Sequence, residues 1–299
     1  MCGIVGLYLK NENWVERLGE MFAPMLVCMT ERGPDSAGIA LYGAPAPAGF
    51  IKLTLRCDNQ GYDWKKLADH LGRQSQCQAG LRINANYAML SVRGDEAPLR
   101  RAVAAFDPQL RVMSVGRSIE ILKEVGLPQS IVDRFGIGKM TGTHIIGHTR
   151  MATESAVTTD GSHPFSTGLD LCLVHNGSLS NHNRLRQKLV RHGIEIRTQN
   201  DSEVAAGYLT WQLAQGKTLR QALESALNDL DGFYTFAIGT ADGFAVLRDP
   251  IACKHAVMAE TDDYVAICTE FQALAHLPGV DDANIWEPKP ARVYTWGRN

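Results

Sequence analysis

Short strands follow one another closely in the last third of this 299-residue chain, and their order limits the fold more than any other feature. Turn residues such as those at 241–243 separate predicted strands over 233–238, 244–248 and 264–269. Only two long helices are predicted before them, over 202–213 and 218–230, the first with Asp201 or Ser202 as its cap. Hairpin-like runs of strands favour layered antiparallel sheets over a doubly wound parallel sheet. We therefore expect an α+β protein.

The middle of the chain has a separate pattern. Alternating Ala and Pro residues at 44–49 indicate a boundary. Beyond it, the periodicity predicts strands over 51–56 and 87–92, a helix that carries Trp64 and Leu71, a helix over 118–125 and a short helix before Gly136. This region predicts an inserted α/β subdomain at about 44–143 within one domain that spans 1–299. Nearer the start, Leu18, Phe22, Met25 and Met29 follow helical spacing, and Pro24 is expected to start or kink that helix.

Composition excludes several classes of partner. The chain is 45% hydrophobic and 21% charged, and its formal net charge is -2, which argues against nucleic acid or an anionic membrane as the main partner. No signal-like start and no apolar run of about 18 residues occurs, so we expect a cytoplasmic protein. The seven cysteines lack any C-x-x-C pair, and His144 and His148 lie in an extended segment, so no metal site is expected on this chain.

Cys2 directly follows Met1 and precedes an apolar strand. Removal of Met1 would put a thiol and an α-amino group on one residue, with ordinary pKa values of about 8.5 and about 8. Protons can be exchanged between two such groups near neutral pH, directly or through a water molecule, so no histidine partner is needed. The alternative is that Cys2 is an ordinary small apolar residue near the chain end.

Three further clusters carry candidate chemistry, and each has a simpler explanation. The segment 148–153 places Arg150 beside two threonine hydroxyls and suits a carboxylate ligand, although a surface arginine paired with an acid is equally consistent. Asn176 and Gly177 follow a predicted strand over 169–174 and could hold an oxyanion, or form a plain Asn-Gly turn. Asp201 starts a predicted helix and could accept from an ammonium group, or serve as a helix cap.

The order of these clusters is more specific than any one of them. Cys2 is followed by Arg-Gly-Pro-Asp-Ser at 32–36, His-Thr-Arg at 148–150, His-Asn-Gly at 175–177, Asn-Asp-Ser-Glu at 200–203 and Arg-Asp-Pro at 248–250. In this order the chain resembles the class II glutamine amidotransferases, which are N-terminal-nucleophile hydrolases. The resemblance covers residues 1–43 and about 143–255.

The resemblance implies a fold and a set of roles. The fold is an αββα sandwich of two mostly antiparallel sheets between helices. The reaction is hydrolysis of L-glutamine to L-glutamate and ammonia through a cysteine thioester. The implied roles are Cys2 as nucleophile with its own α-amine as base, Asn176 and Gly177 as the oxyanion hole, Arg150 with Thr153 as the carboxylate site, and Asp201 as the ammonium partner.

The segments 151–155, 162–165 and 174–181, with the inserted subdomain, look most like the stand-alone amidotransferase-like subunit of split glutamate-synthase-type enzymes, N-methylglutamate synthase among them. That resemblance implies a hetero-oligomer with a glutamate-synthase-like subunit and, as an open alternative, a third subunit. FMN and an iron–sulfur cluster are then expected on the partner and no cofactor on this chain. Met151 replaces the aromatic residue often found there in the class. A catalytically idle assembly or regulatory subunit that binds glutamine or glutamate without turnover stays open as the alternative.

Overall fold

Three β-sheets organise the computed structural model, which describes residues 2–59, 61–152 and 156–297. The strands are β1 (Gly3–Leu9), β2 (Ser36–Tyr42), β3 (Phe50–Arg56), β4 (Gly80–Asn84), β5 (Tyr87–Arg93), β6 (Arg111–Gly116), β7 (Ile119–Val125), β8 (His144–Arg150), β9 (Phe165–Gly168), β10 (Leu171–Leu179), β11 (Gly232–Thr240), β12 (Gly243–Arg248), β13 (Val257–Glu260), β14 (Tyr264–Cys268), β15 (Asn284–Trp286) and β16 (Val293–Gly297). The α-helices are α1 (Leu18–Val27), α2 (Trp64–Ser75), α3 (Glu96–Phe106), α4 (Pro128–Phe135), α5 (His182–Arg191), α6 (Asp201–Ala214) and α7 (Leu219–Asp229). Short 3₁₀ helices cover Glu12–Arg17, Ile137–Lys139, Phe271–His276 and Val280–Asp282.

Two of the sheets pack face to face. Within the described residues, the first sheet has the strand order β15-β13-β14-β1-β8-β2-β7 and the second has the order β16-β12-β11-β10-β9. Apolar side chains from both inner faces, including Ile146, Val174 and Phe244, form one buried core. Helices α1 and α4 cover the outer face of the first sheet, and α5, α6 and α7 cover the second. The predicted α+β class and αββα layering are confirmed.

The third sheet, β4-β5-β3-β6, is formed by residues 50–116 and has its own core with α2 and α3. Asp170 joins it to the rest of the molecule, since its N–H donates to the Val115 carbonyl oxygen of β6 at 3.0 Å and its carboxylate accepts from the N–H groups of residues 117–119, which connect β6 to β7, at 2.7–3.0 Å. Strand β7 and helix α4 also fall within 44–143, but they belong to the seven-stranded sheet and its covering layer. The separate sheet therefore ends at Gly116.

The helix predicted over 118–125 is wrong, because this segment is strand β7. Two of its charged residues, Glu120 and Lys123, are buried, which gives it no clear strand alternation, and both have partners from elsewhere in the chain. Glu120 pairs with Lys52 and Arg82, and Lys123 Nζ donates to the carbonyl oxygens of residues 160, 162 and 164. These long-range partners stabilise a strand that the local pattern does not indicate.

Three further boundaries differ from expectation. Strand β10 continues to Leu179, so Asn176 and Gly177 lie inside a strand and not at its end. The cap of α6 is Asn200, whose side chain accepts from the N–H of Ser202, so neither Asp201 nor Ser202 caps the helix. Pro24 lies within α1 and does not start it. Among the described residues, no helix combines the length and the apolar character that a bilayer crossing requires.

Candidate functional site

Cys2 lies at the start of the central strand of the first sheet. The pairing of Gly3 with Thr149 places the end of β8, and therefore Arg150 and Met151, beside Cys2. The Cys2 Sγ atom is 3.8 Å from the carbonyl oxygen of Met151. The thiol is partly exposed, so a small molecule can reach it. The geometry is that of an accessible nucleophile and not of a core cysteine.

Asn176 reaches Cys2 from the second sheet. Its buried side-chain Nδ2 donates to the carbonyl oxygen of Cys2 at 3.1 Å and to Thr269 Oγ1 at 3.1 Å. Thr269 follows β14, and its hydroxyl also accepts from the N–H of Ile4 at 2.9 Å. No sequence motif singles out Thr269, because only the pairing of β1 with β14 brings it to the site. The two sheets are thus joined by hydrogen bonds at the candidate nucleophile.

Strand alternation places the N–H of Gly177 on the open edge of β10. Successive residues of an antiparallel strand direct their backbone groups to opposite edges. The N–H of His175 donates to His163 Nδ1 and the N–H of Leu179 donates to Asp201, both on the edge away from β11. Gly177 lies between them, so its N–H points to the same edge. Tyr234, the residue opposite Gly177 in β11, uses its own N–H and carbonyl oxygen to bond to Asp249 and not to Gly177. Among the described residues, β9 pairs with β10 only at its first residues, so this edge is open at Gly177.

Asp201 faces the same edge of β10. Because Asn200 caps the helix, the Asp201 carboxylate extends outward and accepts from the N–H of Leu179 at 2.8 Å. Ser202 Oγ lies 3.3 Å from its Oδ1, and His175 Nδ1 lies 3.7 Å from the same atom. With a side-chain exposure of 21%, Asp201 is open to a ligand. The carboxylate can therefore take a cation two residues along the strand from Gly177.

Arg150 ends β8 and is buried, with 7% exposure, so it is not the surface arginine of the simpler explanation. Its Nη1 donates to the carbonyl oxygen of Ala156 at 3.3 Å. Asp35 fixes the backbone that follows β8 at two points. Its N–H donates to the carbonyl oxygen of Arg150, and its Oδ2 accepts from the N–H of Ala152 at 2.8 Å. The Arg-Gly-Pro-Asp-Ser motif thus supports the arginine through Asp35. Thr153 lies outside the described residues.

Three buried imidazoles underlie the site. The rings of His148 and His163 stack with centroids 3.9 Å apart, and His175 lies next to both. Burial lowers the pKa of His148 to about 3 and lowers the pKa values of His163 and His175 below their ordinary range. All three rings are therefore neutral near pH 7. Among the described residues, no three His, Cys, Asp or Glu side chains gather as a metal site.

These lowered pKa values predict acid sensitivity. The unfolded chain takes up protons at these imidazoles below about pH 6.5 and the folded protein does not, so stability is lost as the pH falls. His148 and His163, whose pKa values are lowered most clearly, should each contribute about 1.4 kcal/mol per pH unit below about pH 6, and His175 contributes in the same direction. Guanidinium unfolding between pH 7 and 5 measures the slope. In a His163→Phe variant, the slope of the unfolding free energy against pH should be smaller by the contribution of one imidazole. An unchanged slope would contradict this assignment.

The structure brings Cys2, Asn176 and the end of β8 at Arg150 together, and it places Gly177 and Asp201 along one edge of β10. Two sheets with this layering and a partly exposed cysteine at the start of a central strand match the arrangement expected of a class II glutamine amidotransferase. The chain belongs to the class II glutamine amidotransferase family and is an enzyme of that class.

Relatives support the assignment over the full length. A family model described as a glutamine amidotransferase domain matches residues 148–276. The glutamine amidotransferase-like protein GlxB of Rhizobium meliloti is 54% identical over 297 residues, covering 99% of this chain and 98% of GlxB. A putative glutamine amidotransferase of Methanothermobacter thermautotrophicus is 30% identical, covering 98% of this chain and 99% of that protein.

Solved structures support the fold. Glutamine phosphoribosylpyrophosphate amidotransferase of B. subtilis has a TM-score of 0.63 to this chain at 19% identity. A structure described as the allosteric regulatory enzyme of purine biosynthesis has a TM-score of 0.65 at 19% identity. Each match covers 99% of this chain but 47% of the solved protein, so this chain spans about half of their length. The likeness is one of fold.

Proposed function

We propose that this protein hydrolyses L-glutamine to L-glutamate and ammonia through a thioester at Cys2. The observation that carries the proposal is the contact between Asn176 Nδ2 and the Cys2 carbonyl oxygen at 3.1 Å, because it holds an amide donor of one sheet against the nucleophile of the other. The open N–H of Gly177 supplies a second donor on the neighbouring residue. Two such donors aimed at one point stabilise a tetrahedral oxyanion.

The proposed reaction has two halves. The Cys2 α-amine takes the thiol proton, and the thiolate attacks Cδ of glutamine to form a tetrahedral oxyanion held by Asn176 and Gly177. The C–N bond then breaks, and ammonia leaves with the proton that the α-amine returns. In the second half, the same amine takes a proton from water, and the hydroxide attacks the thioester carbon. The C–S bond then breaks, the amine returns its proton to the sulfur to restore the thiol, and glutamate leaves after its new carboxyl group loses a proton to solvent. The proposal requires a mature chain that starts at Cys2, since an acylated amine is not a base.

The substrate's amino-acid end is proposed to bind between β8 and α6. Arg150, with Thr153, takes the α-carboxylate, and a planar guanidinium suits that group. Asp201 takes the α-ammonium, and its partial exposure beside the edge of β10 supports this role. Glutamine bound in this way would direct its side-chain amide toward Cys2.

Replacement of Asp201 should weaken binding more than chemistry. We expect Asp201→Ala to raise the KM for glutamine about 100-fold, because the ammonium loses its counter-charge, with a smaller change in kcat. Asp201→Asn is the matched control, since its amide oxygen can still accept from the N–H of Leu179. If Asp201 matters only as the acceptor for the N–H of Leu179, the Asp201→Asn variant would have the KM of the wild type. A KM unchanged in both variants would refute the role.

The ammonia is proposed to pass to a separate subunit. Free ammonia is mostly protonated at neutral pH and is lost to solvent, so a coupled synthase site would conserve it. We infer a flavin-dependent, glutamate-synthase-like partner, as in N-methylglutamate synthase, with FMN and the iron–sulfur cluster on that partner, and a cytoplasmic complex. The motif segments at 162–165 and 174–181 support this inference. Co-purification with a candidate synthase subunit, together with faster glutamine hydrolysis in the mixture, would test it.

One observation favours a second candidate. Both hydrogens of the Asn176 amide are donated within the protein, to Cys2 and to Thr269, so an oxyanion must displace one of these contacts. A subunit that never makes this exchange would bind glutamine or glutamate without turnover. Calorimetric titration beside a glutaminase assay separates the candidates, since binding without glutamate release, with and without the partner, would identify the idle subunit.

A further inference from the structure

The Asn176 amide has a defined orientation. At one end, Nδ2 lies 3.1 Å from the carbonyl oxygen of Cys2, which can only accept. At the other end, Oδ1 lies 3.2 Å from His148 Nε2. If the amide were reversed, its oxygen would face the Cys2 carbonyl oxygen, and two acceptors would repel each other. Cys2 alone therefore favours the orientation in which the nitrogen faces the nucleophile.

The tautomer of His148 is defined independently. Its Nε2 also lies 3.1 Å from the backbone carbonyl oxygen of His175, which can only accept. The hydrogen of the neutral ring must therefore be on Nε2, where it is shared between the His175 carbonyl and Asn176 Oδ1. In this tautomer a reversed Asn176 amide is unfavourable, because its NH₂ group would face the Nε2–H of His148 and neither group could accept. The two ends of the amide thus require the same orientation.

The ring of His148 is held rigidly. It is 1% exposed, it stacks on His163, and His163 accepts from the N–H of His175. Gly38, opposite His148 in β2, allows the chain at His163 to approach, since a Cβ atom there would lie 2.3 Å from the His163 carbonyl oxygen. The donor on His148 Nε2 is therefore fixed in place relative to β10.

We propose that His148 is a positioning residue that orients the side-chain amide of Asn176 so that its nitrogen is presented at Cys2. The inference rests on the proposed function for its kinetic meaning. A donor that acts on the developing oxyanion affects kcat, whereas the KM for glutamine depends on groups at the amino-acid end. Loss of the His148 donor should therefore slow turnover without weakening substrate binding.

Two substitutions separate donor loss from ring loss. His148→Leu removes the donor, and we expect kcat to fall about 100-fold with KM within about threefold of wild type. His148→Gln places an amide nitrogen near the position of Nε2, and it should restore at least about tenfold of the lost kcat. In an Asn176→Ala background, His148→Leu should cause little further loss, because the residue that it positions is absent.

His144 provides the matched control. It lies on the same strand, is also 1% exposed, stacks on Tyr42 with centroids 4.0 Å apart, and approaches a backbone carbonyl oxygen, that of Thr240, at 3.0 Å from its Nε2. His144→Leu should lower the Tm as much as His148→Leu and leave kcat within about threefold of wild type. Equal kcat losses in the two variants, no rescue by His148→Gln, or an additive loss with Asn176→Ala would overturn the proposal.

A measurement without turnover separates this inference from the proposed function. ¹⁵N NMR of histidine-labelled protein reports the tautomer, and we expect His148 to carry its hydrogen on Nε2. A hydrogen on Nδ1 would overturn the inference even in an active enzyme. Wild-type protein that shows the Nε2–H tautomer but releases no glutamate, with or without a partner, would refute the proposed function and leave the orientation of Asn176 established.

Discussion

Cys2→Ala should reduce glutamate release from glutamine by about 10⁴-fold or more. The thiolate makes the first bond to Cδ in the proposed reaction, and loss of a covalent nucleophile typically costs several orders of magnitude. The variant should fold normally, since Cys2 is partly exposed and the hydrogen bond of its thiol to the Met151 carbonyl oxygen is a weak one, at 3.8 Å. A glutaminase assay on the purified variant, beside a thermal melt, measures both effects.

Cys28→Ala is the control for this substitution. Cys28 is also partly exposed, and its Sγ lies 3.3 Å from His276 Nε2, which is the type of thiol–imidazole pair that could attack an amide. Burial nevertheless raises the pKa of Cys28, and this disfavours its thiolate. We expect Cys28→Ala to retain wild-type activity. Activity that survived Cys2→Ala and disappeared in Cys28→Ala would reassign the nucleophile.

Gly177→Ala should damage both stability and turnover. A Cβ atom at this position would lie 1.9 Å from the carbonyl oxygen of Phe233, and the backbone has a φ of +148°. The strand must shift to admit the methyl group, at a cost on the order of 3 kcal/mol from overpacking and backbone strain. That shift also moves the N–H of Gly177 and the amide of Asn176, so we expect kcat to fall at least about 100-fold.

Gly216→Ala is the control that separates the cost of a positive φ from the cost of the close contact with Phe233. Gly216 also has a positive φ, of +84°, but a Cβ atom at this position would meet no other part of the described chain within 4 Å. This substitution should cost only about 1 kcal/mol and leave kcat unchanged. Guanidinium unfolding and initial rates of glutamate release on both variants test the comparison. A Gly177→Ala variant with wild-type stability and rate would show that its N–H and its close approach are unimportant.

The sequence predicts well where apolar periodicity is strong and local. Helix α2 carries its predicted apolar face, and α7 begins after Thr218, whose side chain forms a capping box with Gln221. Prediction fails at β7, because the buried Glu120 and Lys123 take partners from β3, β4 and the segment 160–164. Such partners are separated from β7 by about 35 to 70 residues, so a local pattern cannot indicate them.

The candidate site is also predictable from the sequence only in part. Motif order identifies Cys2, Arg150, Asn176, Gly177 and Asp201, and their roles stay predictions that the experiments above test. The motifs do not contain Thr269, and they contain His148 without indicating its contact with Asn176, because both contacts depend on the pairing of whole strands. The strand that carries Asn176 also continues past the turn that an Asn-Gly pair indicates, because it stays paired with β11 as far as Leu179.

The central claim, that Cys2 attacks the side-chain amide of glutamine, is tested most directly by covalent capture. A glutamine analogue with a diazoketone in place of the amide alkylates the attacking sulfur, and tandem mass spectrometry locates the adduct. We expect one adduct per chain, on Cys2 of a peptide that begins with Cys2, formed as glutaminase activity is lost and prevented by excess glutamine. An adduct on another cysteine, or full activity in protein whose Cys2 amine is still acylated by Met1, would contradict the account.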